Sequence, residues 1–195
     1  MPLNTDVFQQ RVRVLYDPVG SLPDWSAVAS TVGGERRSAL NAALIRLQDL
    51  PPYVAPTPDQ VPWTQRLLRG WDALPAAAFL LACSAWGEAR LSGLRAFRSF
   101  EPQVHAFLQQ RLPVAPALEA EMPATRRGLT GWGGACLIAS LPALPDWLHA
   151  RIGLRFGPLP SVCRLPPAHA GDLLCLSVAL AHAQKDPGFS RSFCP

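Results

Sequence analysis

Residues 73–100, ALPAAAFLLACSAWGEARLSGLRAFRSF, decide how this chain folds. No charged residue lies between Asp72 and Glu88, and the run AAAFLLACSAW combines good helix formers with large apolar groups. A helix that is apolar on every side has to be buried on every side. After Gly87 the pattern changes, because Leu91, Leu94 and Phe97 recur at helical spacing while Glu88, Arg90, Arg95 and Arg98 fall between them. The stretch reads as one buried helix, loosened or restarted at Ser92-Gly93, whose second half surfaces.

The rest of the chain is fitted around that helix. With 195 residues and 49% hydrophobic content it is long enough for one sizeable core. Charged residues make up only 16%, against an ordinary share of about a quarter, which favours a protein that covers part of its outside with partners. The cations are 17 Arg and the single Lys185. That bias is either genomic or the mark of a contact-rich surface, where Arg is enriched and Lys depleted. A scattered net charge of +4 is no footprint for nucleic acid.

Cys83, Cys136, Cys163, Cys175 and Cys194 form no C-x-x-C pair and leave one over, which fits free thiols in a reducing cytosol. MPLNTDVFQQ has neither a basic nor an apolar leader region. The charge-free run 73–87 falls short of the roughly 20 residues that span a bilayer, and 128–145 is broken by Gly and Pro.

Moving outward, residues 4–16 are open between a helix, with Val7, Phe8, Val12 and Leu15 on one side, and a strand from the alternation RVRVLY. Asp24 can cap a short helix through Ala29. Residues 35–50 form an amphipathic helix, packed through Leu40, Leu44 and Leu47. Residues 51–58 are a Pro-rich connector that can join an N-terminal lobe, 1–50, to the main body. Helices follow from Asp59 to Arg69, from Glu101 to Leu112 with Val104, Phe107 and Leu108 packed, and from Gly128 to Leu141. A loop, 119–127, carries both signs of charge. Residues 144–150 form a short helix, and in RIGLRF the alternation of Ile152, Leu154 and Phe156 with Arg151, Gly153 and Arg155 suggests a strand. After a Pro-rich passage, Asp172 caps a last helix and FSRSFCP frays. The expected fold is a mainly α, irregular multi-helix single domain, 1–195, with a small strand pair near 151–156.

Catalytic or ligand chemistry is hard to find. Cys163, His169, Cys175 and His182 are the right ligand types at spacings that match no zinc pattern. Gly131, Gly133 and Gly134 lack the preceding strand that a phosphate loop needs, and read as a bend beside a Trp. There is no nucleophile motif, and Glu119 and Glu121 share a loop with Arg126 and Arg127. No catalytic residue, cofactor or metal is expected. Six tryptophans at helix ends serve mainly as packing, but Trp and Arg also lead the residues that anchor interfaces. Trp86 beside Glu88 and Arg90, and Trp147 near Arg151, are the candidate partner-binding residues.

The order of features resembles a family. Leu22, Pro23 and Trp25 precede a helix containing Leu40-Asn41-Ala42-Ala43-Leu44, then a Pro-rich connector. A leucine-rich helix runs into Gly87-Glu88-Ala89-Arg90, and Trp147 precedes RIGLRF before a Leu/Cys-containing final helix. This looks like the SctK (YscK/PscK) family of type III secretion accessory proteins. The resemblance implies a non-enzymatic cytosolic adaptor of the injectisome sorting platform, peripheral to the inner membrane. It would join the cytoplasmic domain of the ring protein SctD to the pod protein SctQ, and through it SctL and the ATPase. Two rivals stand beside it. A type III secretion chaperone or regulator should be acidic, whereas this chain has a pI near 9.1. A small enzyme with a scattered site should show convergent polar side chains in a cleft.

Overall fold

The structure, a computed structural model, describes residues 5–22, 25, 31–93, 100–112, 125–141, 143–157 and 172–193. Among these residues the chain forms α-helices and short three-ten turns, and no strand. The expected helix at 24–29 apart from Trp25, the residues Leu94 to Phe97, positions 119–124 of the expected loop 119–127, the Pro-rich 158–171 and Cys163, His169 and Cys194 lie outside the described residues. Two compact units divide the chain: Met1–Trp71 with Pro142–Gly157 and Cys194–Pro195, and Asp72–Leu141 with Pro158–Phe193. The helices are α1 (Thr5–Tyr16), α2 (Gly34–Leu47), α3 (Val61–Arg69), α4 (Leu74–Leu91), α5 (Pro102–Leu108), α6 (Arg126–Ser140), α7 (Asp146–Phe156), α8 (Asp172–Lys185) and α9 (Pro187–Arg191).

In the second unit α4 is the centre. Pro75 sits in its first turn, where its missing N–H leaves no helix carbonyl unpaired. Every residue from Ala73 to Cys83 is buried, as an all-apolar helix demands. Helices α5, α6 and α8 surround it. The closest approach is to α6, where a methyl group built on Gly133 would stand 1.8 Å from the carbonyl oxygen of Ala78. Only glycine lets the two backbones come that near. Gly133 is thus a packing glycine within α6, which Thr125 caps by accepting the N–H of Gly128 at 3.0 Å.

The break in α4 falls five residues earlier than the sequence suggests. Gly87 adopts φ 72 and ψ 156, a conformation open essentially to glycine alone. Its helix neighbours, Glu88 and Arg90, are exposed beyond it. Ser92 then closes the last turn as C-cap.

The end of the chain is ordered rather than frayed as far as Phe193. Asp186 caps α9 by accepting from the N–H groups of Gly188 at 2.8 Å and Phe189 at 3.1 Å. Phe193 then meets Phe79 and Phe189, each with ring centres 5.1 Å apart. The Arg126 guanidinium lies 4.1 Å from the centre of the Phe193 ring and pairs with Glu101 at 2.6 Å. Apolar contact and one charge together hold the tail, and the short sequence FSRSF shows neither partner.

In the first unit α1 packs on α3 and α7. Of residues 4–16, open between helix and strand in the sequence, Thr5–Tyr16 is helix. The strand expected at 151–156 is overturned, because α7 covers those residues. Its buried positions are Trp147, Leu148, Arg151, Ile152 and Arg155. Successive positions are alternately one and three residues apart, the stripe of a helix. The alternation of aliphatic and basic residues misled because Arg151 and Arg155 face inward together with Ile152.

Helix α2 is anchored differently from expectation. Leu47 is 81% exposed, while Asn41 is buried. The Asn41 amide accepts from the N–H of Val19 at 3.0 Å and donates to Asp17 at 2.9 Å, and Arg37 donates to the same carboxylate at 3.0 Å and 2.5 Å. Polar side chains, rather than a leucine face, fix α2 to the turn after α1.

Candidate partner-binding surface

The residues singled out in the sequence fall into two groups. Trp86 is buried, its ring 5.4 Å from that of Trp132 and the Arg90 guanidinium 5.3 Å from its centre. Its indole N–H and that of Trp132 are buried without a hydrogen-bond partner. Glu88 and Arg90 stand in solvent where Gly87 turns the helix outward. A partner approaching this end of α4 would meet the two charges, with Trp86 as the floor beneath them.

Trp147 and Arg151 belong to the first unit and are spent inside it, at 1% and 4% exposure. The Trp147 indole donates to the carbonyl of Val54 at 2.9 Å, and its ring lies 5.4 Å from Tyr53. Arg151 donates to the carbonyls of Pro51 at 2.9 Å, Trp147 at 2.9 Å and Leu15 at 3.3 Å. The two side chains therefore clamp the Pro-rich connector against α1 and α7. Proline-rich backbone has carbonyls but few N–H groups, and a five-donor guanidinium is the side chain suited to such carbonyls. Burial lowers the Arg151 pKa, but the group stays charged at any physiological pH.

What the sequence reading passed over is the exposed apolar surface around that clamp. Phe8, Val12 and Tyr16 recur every fourth residue of α1 and are 46%, 40% and 66% exposed. On the connector Tyr53 and Val54 are 39% and 65% exposed. Arg11 ties the helix to the connector, its guanidinium 5.2 Å from the Phe8 ring and 4.7 Å from the Tyr53 ring, with a 2.8 Å hydrogen bond to the Tyr53 hydroxyl. The four-residue spacing was visible; that this flank of α1 stays uncovered was not. Large apolar groups kept in water at helical spacing mark a contact surface more often than an accident of packing.

Among the described residues no three His, Cys, Asp or Glu side chains converge as metal ligands. Cys83 lies fully buried, and burial pushes its thiol far up from the ordinary range, so it carries little thiolate to react. His182 is engaged within the second unit, its Nε2 at 2.9 Å from the carbonyl of Gln103. Since that carbonyl can only accept, Nε2 carries the hydrogen. No single helix among the described residues is long and apolar enough to cross a membrane.

Residues 11–185 match the family model described as bacterial type III secretion apparatus protein (OrgA_MxiK). No curated protein and no solved structure matches the chain.

Proposed function

We take as premise that the chain belongs to the OrgA_MxiK family of bacterial type III secretion apparatus proteins, and propose that it works as a non-enzymatic adaptor in the sorting platform of that apparatus. In this reading it joins an SctD-type inner-membrane ring protein, through that protein's cytoplasmic domain, to an SctQ-type pod protein, and so indirectly to SctL and the ATPase. It would act in the cytoplasm, peripheral to the inner membrane. Neither a cofactor nor nucleic acid enters the role.

The observation that carries the reading is the family match across 11–185, which agrees with the ordered motifs that resemble the SctK family. Two features of the molecule support an adaptor. The first unit leaves a row of aromatic and aliphatic side chains in water, and the second presents Glu88 and Arg90 at a backbone turn that glycine alone permits. A connecting piece needs two separate places to be held, and each unit offers one. The test is co-purification of the tagged chain with the ring and pod proteins of the same secretion system. Recovery of both supports the role, and recovery of neither ends it.

A further inference from the structure

We propose that the exposed flank of α1, together with Tyr53 and Val54, is the docking face for an acidic amphipathic helix of a partner protein. The proposal rests on the adaptor reading only for where that partner is sought. Phe8 and Tyr16 lie eight residues apart on one flank of α1, about 12 Å along the axis, room for roughly two turns of a partner helix. The surface is apolar, yet the charges set into it are of one sign.

Arg11 lies within the face, held between the rings of Phe8 and Tyr53. Arg151 is buried in the same unit, and its hydrogen bonds run to the backbone of α1 at Leu15 and of the connector at Pro51. Its three acceptors are neutral carbonyls, no carboxylate among the described residues pairs with it, and its Nε is buried without a partner. The connector from Pro51 to Pro58 contains no charged residue. Asp6 stands before Phe8 on α1, and Asp17, after its end, is engaged by Arg37 and Asn41. A buried positive charge answered only by dipoles leaves a positive field at the surface above it. A covering helix that placed aliphatic residues on Phe8, Val12 and Val54 and carboxylates over Arg11 would satisfy both features. Two copies meeting through this same face would set Arg11 against a like charge or against nothing, which disfavours a symmetric self-association here.

The experiment places the photo-crosslinking residue p-benzoylphenylalanine at position 12 of the full chain, and at Leu174 as an exposed apolar control in the second unit, in cells that assemble the apparatus. The expected result is an adduct at position 12, mapped by mass spectrometry to an Asp/Glu-bearing helical segment of an apparatus component. Its yield should fall about tenfold with Arg11→Glu and recover when the facing carboxylate is changed to Arg. Circular dichroism of Arg11→Glu checks that the helix content is unchanged; Phe8→Ala provides the same loss without a charge change. Four outcomes overturn the docking face: no adduct above the Leu174 control, an adduct to another copy of this chain, one to a basic or uncharged segment, or a yield that Arg11→Glu leaves unaltered. If the ring and pod proteins still co-purify while position 12 is silent, the docking face falls and the adaptor role stands. An acidic segment captured from a protein outside the apparatus, with neither ring nor pod protein co-purifying, would do the reverse.

Discussion

Two alanine substitutions in one helix should move stability in opposite directions. A Cβ at position 133 would lie 1.8 Å from the oxygen and 2.6 Å from the carbon of the Ala78 carbonyl, with Ala82 at 3.2 Å. Side-chain carbons do not approach heavy atoms closer than 3.0 Å, and both obstacles at Ala78 are backbone, so α4 and α6 must part locally by about 1 Å. Overpacking of this kind costs about 1–3 kcal/mol or more, and the helix preference for alanine over glycine returns up to about 1 kcal/mol. The net expectation for Gly133→Ala is a loss of up to about 3 kcal/mol, which for a chain of this length lowers the melting temperature by up to about 10 °C. At Gly131, two residues earlier, an added Cβ meets nothing within 4 Å. Gly131→Ala should therefore hold or raise the melting temperature. Thermal melts and urea titrations followed by circular dichroism measure both variants. If Gly133→Ala melts at or above wild type, or the two variants shift together, the close contact of α4 and α6 is wrong.

Three further expectations follow the same logic. Gly87→Ala meets no atom within 4 Å but must adopt φ 72, so it should cost about 1–3 kcal/mol through backbone strain alone, read as a lower urea midpoint. Arg151→Leu leaves the carbonyls of Pro51, Trp147 and Leu15 without their donor; a loss of about 2–4 kcal/mol is expected, with new protease cleavage in residues 51–58, and Arg151→Lys, lacking the planar fork, should not restore it. Burial alone would raise the pKa of Asp17, but hydrogen bonds from Arg37 and Asn41 and the Arg37 charge outweigh it and hold the carboxyl below its usual range. A depressed folded-state pKa stabilises the protein above the ordinary value and is lost as the pH falls through the depressed one. The urea midpoints of wild type and Asp17→Asn should thus stand apart at pH 7 and draw together below about pH 4.

The helical class and the buried centre were legible because they rest on a long run of one chemistry. From Ala73 to Cys83 nothing polar tolerates exposure or requires it, and that run alone dictates a helix enclosed by others. What could not be read is where polar groups do the work of apolar ones. In α7 the inward stripe includes Arg151 and Arg155, so a rule that sends arginine outward turns a helix into a strand. In α2 Asn41 and Arg37 anchor the helix while Leu47 faces water. The docking of Phe193 on Phe79 depends on a neighbour distant in sequence, which local pattern does not contain.

The candidate contact residues divided along the same line. Glu88 and Arg90 are at the surface as charged residues after an apolar run should be. Trp147 and Arg151 carried the right residue types for an interface, but the connector uses them first. The surface left over is made instead by Phe8, Val12 and Tyr16, whose periodicity was visible, and by Tyr53 and Val54, whose exposure is set by the clamp beneath them. Exposure of an apolar side chain is a property of what fails to cover it.

The most direct measurement of the adaptor role is reconstitution from three purified components: this chain, the cytoplasmic domain of the cognate ring protein and the cognate pod protein. Mass photometry or analytical ultracentrifugation should show a ternary complex that forms only when this chain is present, with both partners bound at once. If the two partners compete for it, or associate equally well without it, the chain is not the link between them.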